Sequence, residues 1–483
     1  MLLLKKALLI GLPIAVFGDV PTNCPYSASI GTWRFEVGTR GDNSVTDICG
    51  YDKLGEVSGV HEFELSEENK VKNLLTGSEG TFTTIYNQGF EFQIDGNTWF
   101  AYYYFDGKGY DCDKTSVGYV HNAKGSDWGC IQGTKTGDLK ITEEEWELSE
   151  KKVLDIFSHI PDVKFRHEPE FIKKINSQKL PWISGRNVDN EKYTRKEHFL
   201  RSGGKLKVEK YAEATMSPQS KIQKSIEIPT KYSDFPENLD WRNFNGENFV
   251  SNVDDQGACG SCYSFAAAGL MESRFRIASG NTQKPNFSEQ EIITCAKDKT
   301  YNQGCSGGWA FLIAGKYMQE FGLVEEQCAP YNPVDRKCDE STKNCKRWFS
   351  RDYEYVGGYY GANIGDEGQA MVEELQNGPV AVGFLVTDAF RTYKSGVYVE
   401  PAGLTSEFNP IVPVNHAVLC VGYGVCGKND PACNGENEGM KYWIVKNSWG
   451  KSFGESGYFK IIRGVNELGI ESMPFKAVPI LDL

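Results

Sequence analysis

The first third of the chain alternates between apolar and polar positions. Residues 31–37 alternate with a period of two, and residues 82–105 contain further runs rich in Thr, Tyr, Phe and Ile. Turn-forming residues at 87–89 and 95–97 interrupt these runs. A period of two is typical of strands with one buried face. We therefore predict a small all-β barrel or sandwich over residues 19–138.

The pattern changes at about residue 139. Lys and Glu dominate residues 139–230, and the stretch 143–157 is compatible with a helix. Composition leaves two interpretations open, a linker or pro-segment and an ordinary helical subdomain.

From residue 231 to the end, the chain is rich in Gly and Cys. Residues 261–277 are rich in Ala and lack Pro, which predicts a helix. Ser288 and Glu291 form a capping box that opens a second helix. Beyond about residue 378, strand-like runs alternate with loops, which indicates a mixed helical and β domain.

Residues 1–18 have the pattern of a secretory signal. Two lysines precede an apolar stretch at 7–17, and the small residues Val16 and Gly18 suit cleavage before Asp19. A membrane anchor is the alternative, but the apolar stretch is too short to span a bilayer. We predict a signal peptide and entry into the secretory pathway, with no membrane span in the mature protein.

The length of 483 residues suggests about three domains or segments. The chain has 52 Lys and Arg against 65 Asp and Glu, a formal charge of −13. Nucleic-acid binding needs clustered Lys and Arg, so this balance argues against nucleic acid as a partner and against docking on anionic membranes.

Fourteen cysteines in a secreted chain indicate a disulfide framework. None lies between residues 131 and 258. Two sets can therefore close separately, so the middle segment could be excised without breaking a bridge. The early set is Cys24, Cys49, Cys112 and Cys130, and the late set is Cys259, Cys262, Cys295, Cys305, Cys328, Cys338, Cys345, Cys420, Cys426 and Cys433.

Cys262 is the candidate nucleophile. It opens the predicted helix at 261–277, where the positive end of the helix dipole favours a thiolate. The alternatives are a structural pair or a redox or zinc CxxC pair with Cys259. Zinc would need a second Cys/His pair at matching spacing, and the sequence has none.

A thiolate nucleophile needs a base and an orienting partner. The chain has six histidines, and only His416 follows residue 230. Asn447 is the candidate that fixes the tautomer of this imidazole, with Trp449 close enough to shield their hydrogen bond. A core histidine and a turn asparagine are the structural alternatives.

With these residues the chain resembles the papain-like cysteine peptidases. The segment from Cys259 to Tyr263 reads CGSCY, which fits the signature of that family, and His and Asn follow downstream. The resemblance covers residues 235–475 and includes the segments 288–292 and 304–308. It implies an α+β catalytic domain over 231–483, with a helical lobe and a β-barrel lobe.

The resemblance assigns roles to the candidate residues. Cys262 attacks the scissile carbonyl, and His416 then protonates the leaving amine. Asn447 orients the imidazole, and Gln256 donates its side-chain amide to the oxyanion. Gly307 and Gly308 are implied substrate-binding residues, because no Cβ obstructs the approach of the peptide backbone.

The chain is most similar to the dipeptidyl-peptidase branch of this family. The segments that carry the likeness are 19–24, 84–91, 201–204, 262–265 and 314–317. In this branch an N-terminal barrel, the exclusion domain, blocks one end of the cleft. Its first residue, here Asp19, holds the substrate's amino terminus with its carboxylate. The expected activity is removal of dipeptides from free N-termini.

The same branch binds a chloride ion at the base of the S2 pocket. The matching positions are Trp309, Phe311 and Tyr355. The family usually has Tyr at the second of these, so Phe311 leaves the Tyr355 hydroxyl and backbone N–H groups as ligands. We expect chloride as the cofactor, and neither a metal nor an organic group.

The family also implies a disulfide pairing. It pairs Cys24–Cys112, Cys49–Cys130, Cys259–Cys305, Cys295–Cys338 and Cys328–Cys345. We predict an additional bridge between Cys426 and Cys433 that closes an inserted loop, and a buried free thiol at Cys420. Asn286 lies in the N-glycosylation sequon.

Maturation in this family excises most of residues 139–230 and cuts the catalytic domain near residue 405 into heavy and light chains. This chain lacks a basic residue at that position. The resemblance also implies a processing protease, a homotetramer, and a lysosome or an equivalent acidic compartment. Two other functions stay open: an endopeptidase whose β-domain serves another purpose, and an inactive binding protein on the same fold.

Overall fold

The structure is a computed structural model that describes residues 24, 26–41, 54–66, 70–85, 89–105, 110–122, 127–136, 162–202, 235–296, 302–338, 340–357, 363, 368–402, 414–428, 433 and 437–481. Five features predicted from the sequence lie outside these residues. They are the signal peptide, Asp19, Cys49, the helix-compatible stretch 143–157 and the expected heavy/light cleavage site near residue 405.

The N-terminal unit is an antiparallel β-barrel. Strand β1 pairs with both β2 and β9, so the sheet closes on itself, and β8 pairs with β6 and β9. A short helix, α1 (Tyr26–Ser29), precedes it. The strands are β1 (Gly31–Gly38), β2 (Val57–Ser66), β3 (Lys70–Asn73), β4 (Glu79–Thr84), β5 (Gly89–Ile94), β6 (Asn97–Phe105), β7 (Tyr110–Thr115), β8 (Gly118–Asn122) and β9 (Gly129–Lys135).

An aromatic core fills the barrel. Trp33 and Phe35 lie on the inward face of β1, as the period of two predicts, and both are fully buried. Phe63 and Phe92 meet Trp99 at ring-centroid distances of 4.9 and 5.6 Å. Each such pair adds about 0.5–1.5 kcal/mol beyond area burial, which stabilises a barrel of this small size. The all-β prediction for this region is confirmed.

The catalytic-type domain combines helices with a mixed sheet. Its helices are α4 (Cys262–Ala278), α5 (Glu289–Cys295), α6 (Ala310–Leu312), α7 (Met318–Glu320) and α8 (Gln369–Leu375), and a π-helical stretch, Ile313–Tyr317, joins α6 to α7. Its strands are β11 (Leu239–Asp240), β12 (Ser350–Tyr355), β13 (Val380–Phe384), β14 (Tyr393–Tyr398), β15 (His416–Val425), β16 (Lys441–Lys446), β17 (Tyr458–Ile462) and β18 (Phe475–Pro479).

Helix α4 runs through the centre of this domain. Almost all of its side chains from Cys262 to Phe275 are buried, and it packs against β15 and β18. A helix that is buried on all sides lies in the core of its domain. The predicted second helix is α5, where the Ser288 side chain accepts a hydrogen bond from the Glu291 N–H as a capping box does.

Residues 162–202 fold onto the catalytic-type domain. They form α2 (Pro169–Asn176), β10 (Trp182–Ser184) and α3 (Arg195–Arg201). Strand β10 pairs antiparallel with β14 at the edge of the sheet. The Trp182 indole donates to the Val399 carbonyl at 2.8 Å. This part of the predicted pro-segment is therefore an integral layer of the fold.

The barrel and the catalytic-type domain share a buried polar interface. The Tyr119 hydroxyl on β8 donates to Glu320 Oε1 at 3.0 Å, and the Tyr353 hydroxyl on β12 donates to Glu91 Oε2 at 2.9 Å. Lys316 Nζ lies 2.5 Å from Glu320 Oε1 and 4.0 Å from the Phe100 ring centroid. Buried polar groups that are paired in this way fix one relative orientation of two units.

Candidate active site

Cys262 lies at the first position of α4. Its side chain is buried, and among the described cysteines it and Cys420 are the two that form no disulfide. A disulfide between Cys259 and Cys305 anchors the preceding loop. The helix N-terminus stabilises a negative charge on sulfur, as the sequence indicates.

His416 is the first residue of β15. Its Nε2 atom lies 2.8 Å from Asn447 Oδ1, and the same oxygen accepts a hydrogen bond from the Ser448 N–H at 2.8 Å. Because Oδ1 can only accept, Nε2 carries the proton and Nδ1 carries the lone pair. This tautomer leaves Nδ1 as the proton acceptor that a base requires.

Trp449 covers the His416–Asn447 hydrogen bond. Its ring centroid lies 4.9 Å from that of His416, and both residues are buried. Excluding water strengthens a hydrogen bond between these side chains. The fold also brings Cys262 toward His416, because α4, which begins at Cys262, packs on β15, which begins at His416. Phe265 and Ala266 of α4 line the same cavity as Asn447.

The surroundings hold His416 in the neutral state. Burial is the main cause that lowers its pKa to about 3. The hydrogen bond to Asn447 opposes this shift, and the guanidinium groups of Arg391 and Arg201 add to it. Arg201 belongs to α3, so it is the one of these cations that lies in the predicted pro-segment.

The Gln256 amide is fixed in one orientation. Its Oε1 atom accepts a hydrogen bond from the Ser448 hydroxyl at 2.7 Å, which turns Nε2 toward the site. Nε2 donates to the Cys259 carbonyl at 2.8 Å and to the Arg201 carbonyl at 3.1 Å. A peptide carbonyl from α3 thus occupies the amide donor that the resemblance assigns to the oxyanion.

Further contacts hold α3 over the site. Arg201 is 1% exposed, forms an ion pair with Asp255 at 3.1 Å, and lies over the rings of Tyr193 and Trp449 at 4.0 and 5.6 Å. A Cβ on Gly260 would lie 2.8 Å from the Leu200 carbonyl oxygen, so only glycine permits this close approach. These contacts hold α3 across the candidate site.

A small cavity lies beside His416. Gly308, Trp309 and Ala310 line one side, and the other lining residues are Val382, Gly383, Val414, His416, Ala417, Met473 and Phe475. The backbone at Gly307 has φ +104°, which favours glycine. The two glycines predicted to bind substrate thus lead directly into an apolar cavity next to the candidate base.

Comparisons with known proteins agree with this geometry. Residues 235–478 match the description "Papain family cysteine protease", and residues 19–135 match "Cathepsin C exclusion domain". The chain is 34% identical to Cathepsin C of Schistosoma mansoni over 469 residues, 96% of each chain. It is a cathepsin C-like member of the papain family.

Other relatives share the catalytic part. Pro-cathepsin H of Mus musculus is 37% identical over 246 residues, which cover 51% of this chain and 66% of that protein. A solved structure of digestive procathepsin L2 proteinase from Tenebrio molitor larval midgut is 27% identical. It covers 71% of this chain and 95% of that chain, with a TM-score of 0.47.

Membership in this family identifies the chain as a cysteine peptidase that acts on peptides, with an N-terminal barrel and a papain-like α+β domain. The disulfides and the relation to cathepsins indicate the secretory pathway. Among the described residues, no helix has the length and apolar character needed to cross a membrane. No cluster of metal-ligating side chains occurs within the described ranges.

The residues expected to surround chloride in this family lie together beside the cavity. The rings of Phe311 and Tyr355 stack at 4.6 Å, and Phe311 also contacts Phe475, which lines the cavity. Phe311 and Tyr355 are almost fully buried, and Trp309 is 7% exposed. The Tyr355 hydroxyl is the one side-chain O–H donor of this set, since Phe311 carries none.

The structure contains five disulfides between described cysteines. They are Cys24–Cys112, Cys259–Cys305, Cys295–Cys338, Cys328–Cys345 and Cys426–Cys433. The predicted Cys49–Cys130 pair includes Cys49, which lies outside the described residues. Asn286 is exposed, as a glycosylated asparagine must be.

Two residues at the site were missed by the sequence reasoning. Ser448 fixes both Asn447 and Gln256, and its position next to Asn447 was an available signal. Arg391 lies in the turn between β13 and β14, 5.8 Å from the Trp449 ring. Arg391 precedes His416 by 25 residues, and no sequence pattern links a single arginine in a loop to a histidine that far along the chain.

Proposed function

We propose that the protein releases dipeptides from free N-termini of peptides and proteins. The observation that carries this proposal is the path of the helical stretch from Ala310 to Glu320. Ala310 lines the cavity beside His416, whereas Lys316 and Glu320 contact the barrel residues Phe100 and Tyr119. A barrel docked on this stretch stands at the end of the cleft and limits how far a substrate can extend.

The proposed chemistry is acyl transfer to sulfur. The Cys262 thiolate attacks the scissile carbonyl carbon, and the oxyanion takes hydrogen bonds from Gln256 Nε2 and the Cys262 backbone N–H. As the thiolate forms, His416 Nδ1 takes up the Cys262 thiol proton, and it gives that proton to the leaving amine as the C–N bond breaks. Water, deprotonated by His416, then attacks the thioester and releases the dipeptide with its new carboxylate.

Asp19 is the proposed anchor for the substrate amine. An ammonium group that enters a closed site loses its hydration, and a fixed carboxylate compensates for that loss. The Asp19 carboxylate would then set the distance from the amine to the scissile bond at two residues. Support comes from the match of residues 19–135 to the exclusion domain and from the 34% identity to a cathepsin C.

Chloride is the proposed cofactor of the cavity. The buried Tyr355 hydroxyl beside Phe311 suits an anion, and backbone N–H groups of the same region would supply the remaining donors. Chloride would hold this wall of the cavity in place, and it takes no part in bond making. The donor set has one side-chain hydroxyl where the family usually has two.

Activation is proposed to remove most of residues 139–230. The contact of the Arg201 carbonyl with Gln256 supports this step, because the oxyanion donor is free only after α3 leaves. A processing protease, a second cut near residue 405, a homotetramer and a lysosomal or similar acidic compartment complete the proposal. We carry these over from the family resemblance.

Product analysis tests the proposal. A ten-residue peptide with a free amine is incubated with the processed enzyme, and the products are identified by mass spectrometry. Stepwise loss of two residues supports dipeptide release, whereas internal fragments indicate the endopeptidase alternative. Labelling of Cys262 by E-64 separates both from an inactive binding protein, and the C262A variant is the control that cannot react.

A further inference from the structure

Arg391 has a position that the chemistry above leaves unexplained. It lies in the short 3-10 turn Phe390–Thr392 of the catalytic domain and is 8% exposed. Its guanidinium lies over Trp449, the residue that covers the catalytic imidazole. The neighbouring Phe390 packs on the same indole at 6.0 Å, so the turn is held against this side of the site.

The hydrogen bonds of Arg391 are made to the pro-segment. Its NH2 group donates to the Ser202 hydroxyl at 2.8 Å and to the His198 carbonyl at 3.4 Å, and NH1 lies 3.3 Å from His198 Nδ1. The ion pair with Asp388, at 3.8 Å, is weak because Asp388 is 85% exposed. The guanidinium would therefore lose these pro-segment partners when α3 is removed.

Arg391 lies on the leaving-group side of the site, because the Trp449 ring beside its guanidinium covers the imidazole that is proposed to protonate the leaving amine. The Arg201 carbonyl accepts a hydrogen bond from Gln256 Nε2, the donor proposed for the oxyanion. Ser202 is the next residue after that carbonyl, and its side chain reaches Arg391. Once α3 leaves, the first residue of a substrate's leaving group would occupy this place beside Trp449 and Arg391.

The other side of the site is already assigned to the dipeptide. The cavity that runs from His416 to Gly308 and Trp309 does not include Trp449 or Arg391. Arg391 thus lies by the indole, away from the cavity that would hold the dipeptide side chain. A guanidinium in this place presents several N–H donors in a plane, which suits a carboxylate.

We propose that Arg391 is a specificity-determining residue that favours an acidic side chain directly after the scissile bond. This rests on the proposed dipeptide release and on removal of α3. Asp and Glu side chains stay largely ionised at mildly acidic pH, so the contact operates in the compartment proposed for the enzyme. The selected substrates are those whose third residue is Glu or Asp.

Competition between peptides tests the proposal. The processed enzyme receives an equimolar mixture of Gly-Phe-Glu and Gly-Phe-Gln peptides that are otherwise identical, and mass spectrometry gives the ratio of their kcat/KM values. We expect a preference for Glu of roughly three- to tenfold, which decreases as salt rises. The R391Q variant should lower the ratio to about one, and R391K should retain part of it.

Arg336→Gln is the matched control, because Arg336 is exposed and donates a hydrogen bond to the Pro330 carbonyl, away from Trp449. Its ratio should equal that of the unchanged enzyme. The ratio does not depend on the amount of active enzyme, so a poorly folding variant remains informative. If R391Q gives no active enzyme, the test compares the Glu/Gln ratio of the unchanged enzyme with that of R391K, which should be smaller.

Two results would overturn the role of Arg391: a ratio of one in the unchanged enzyme, or an undiminished ratio in R391Q. Failure of the proposed function looks different, because the products would then be internal fragments. The preference for Glu directly after the cut could still be measured on those fragments, and its absence would refute the role of Arg391 independently.

Discussion

The carbonyl oxygen of Arg201 lies 3.1 Å from Nε2 of Gln256, so a pro-segment peptide group occupies the donor that the reaction needs. The side chain of Arg201 reinforces this contact through Asp255 and two aromatic rings. The proposed inhibition thus has two parts. The Arg201 carbonyl occupies the Gln256 amide, and the buried Arg201 guanidinium depends on Asp255 as its charged partner.

Arg201→Ala should loosen the pro-segment. Loss of the Asp255 ion pair and of the ring contacts should raise the rate of E-64 labelling of the unprocessed protein by about tenfold or more. The control is R186A, because Arg186 is exposed and pairs with Glu191 inside the pro-segment. Equal labelling rates in R201A and in the unchanged protein would contradict the inhibitory role of this contact.

Gln256→Ala should reduce catalysis and leave binding nearly intact. An oxyanion donor acts on charge that develops in the transition state, so kcat should fall by about 10²-fold with little change in KM. The measurement is steady-state kinetics on the processed enzyme, normalised by titration of active thiols. The exposed Gln369 supplies the control variant Q369A. A drop in kcat/KM caused by KM alone would argue against the assigned role.

Acid should release the pro-segment. His198 in α3 is buried beside Arg391 and Arg201, and burial is the main cause that lowers its pKa to about 2. The free imidazole has a pKa of about 6.5, so the released state takes up the proton first. Docking is therefore fully stable above about pH 6.5 and weakens as pH falls toward 2, by at most about 1.4 kcal/mol per pH unit.

The variant H198Q cannot take up this proton. Its midpoint for acid-induced E-64 labelling should move to lower pH, by roughly one unit. His121 in the barrel is also buried with a lowered pKa, and H121Q serves as the control that lacks contact with α3. The account of acid release is refuted if H198Q and the unchanged protein share one midpoint.

Lys316→Met should destabilise the junction of barrel and catalytic domain. It leaves the Glu320 carboxylate buried without its cation, which costs about 3–5 kcal/mol. The expected result is a clear decrease of Tm, partly restored in the double variant K316M/E320Q. The exposed Lys284 gives the control K284M. An unchanged Tm in K316M would mean that the pair contributes nothing to docking.

Local patterns were sufficient to predict the fold class. The period of two in residues 31–37 and the capping box at Ser288 are short-range signals, and both elements form as expected. Counting histidines singled out His416, because a self-contained domain can use only the imidazoles it contains. The hydrogen bond to Asn447 is the contact that this reasoning required.

Contacts between distant segments could not be predicted in this way. Tyr353 meets Glu91 across a separation of 262 residues, and Arg391 meets Ser202 across 189. Such pairs depend on how whole domains pack, and single-sequence patterns report only neighbours along the chain. The packing of residues 162–202 on the catalytic sheet could not be predicted for the same reason, and the composition of this segment was equally compatible with a linker.

The measurement that tests the central claim most directly uses Gly-Phe linked to a fluorogenic leaving group, with its amine either free or acetylated. The processed protein is assayed on both at mildly acidic pH with chloride present. The account predicts cleavage of the free-amine form alone, because the Asp19 carboxylate needs an ammonium partner. Equal cleavage of both forms would show an open cleft and would contradict dipeptide release.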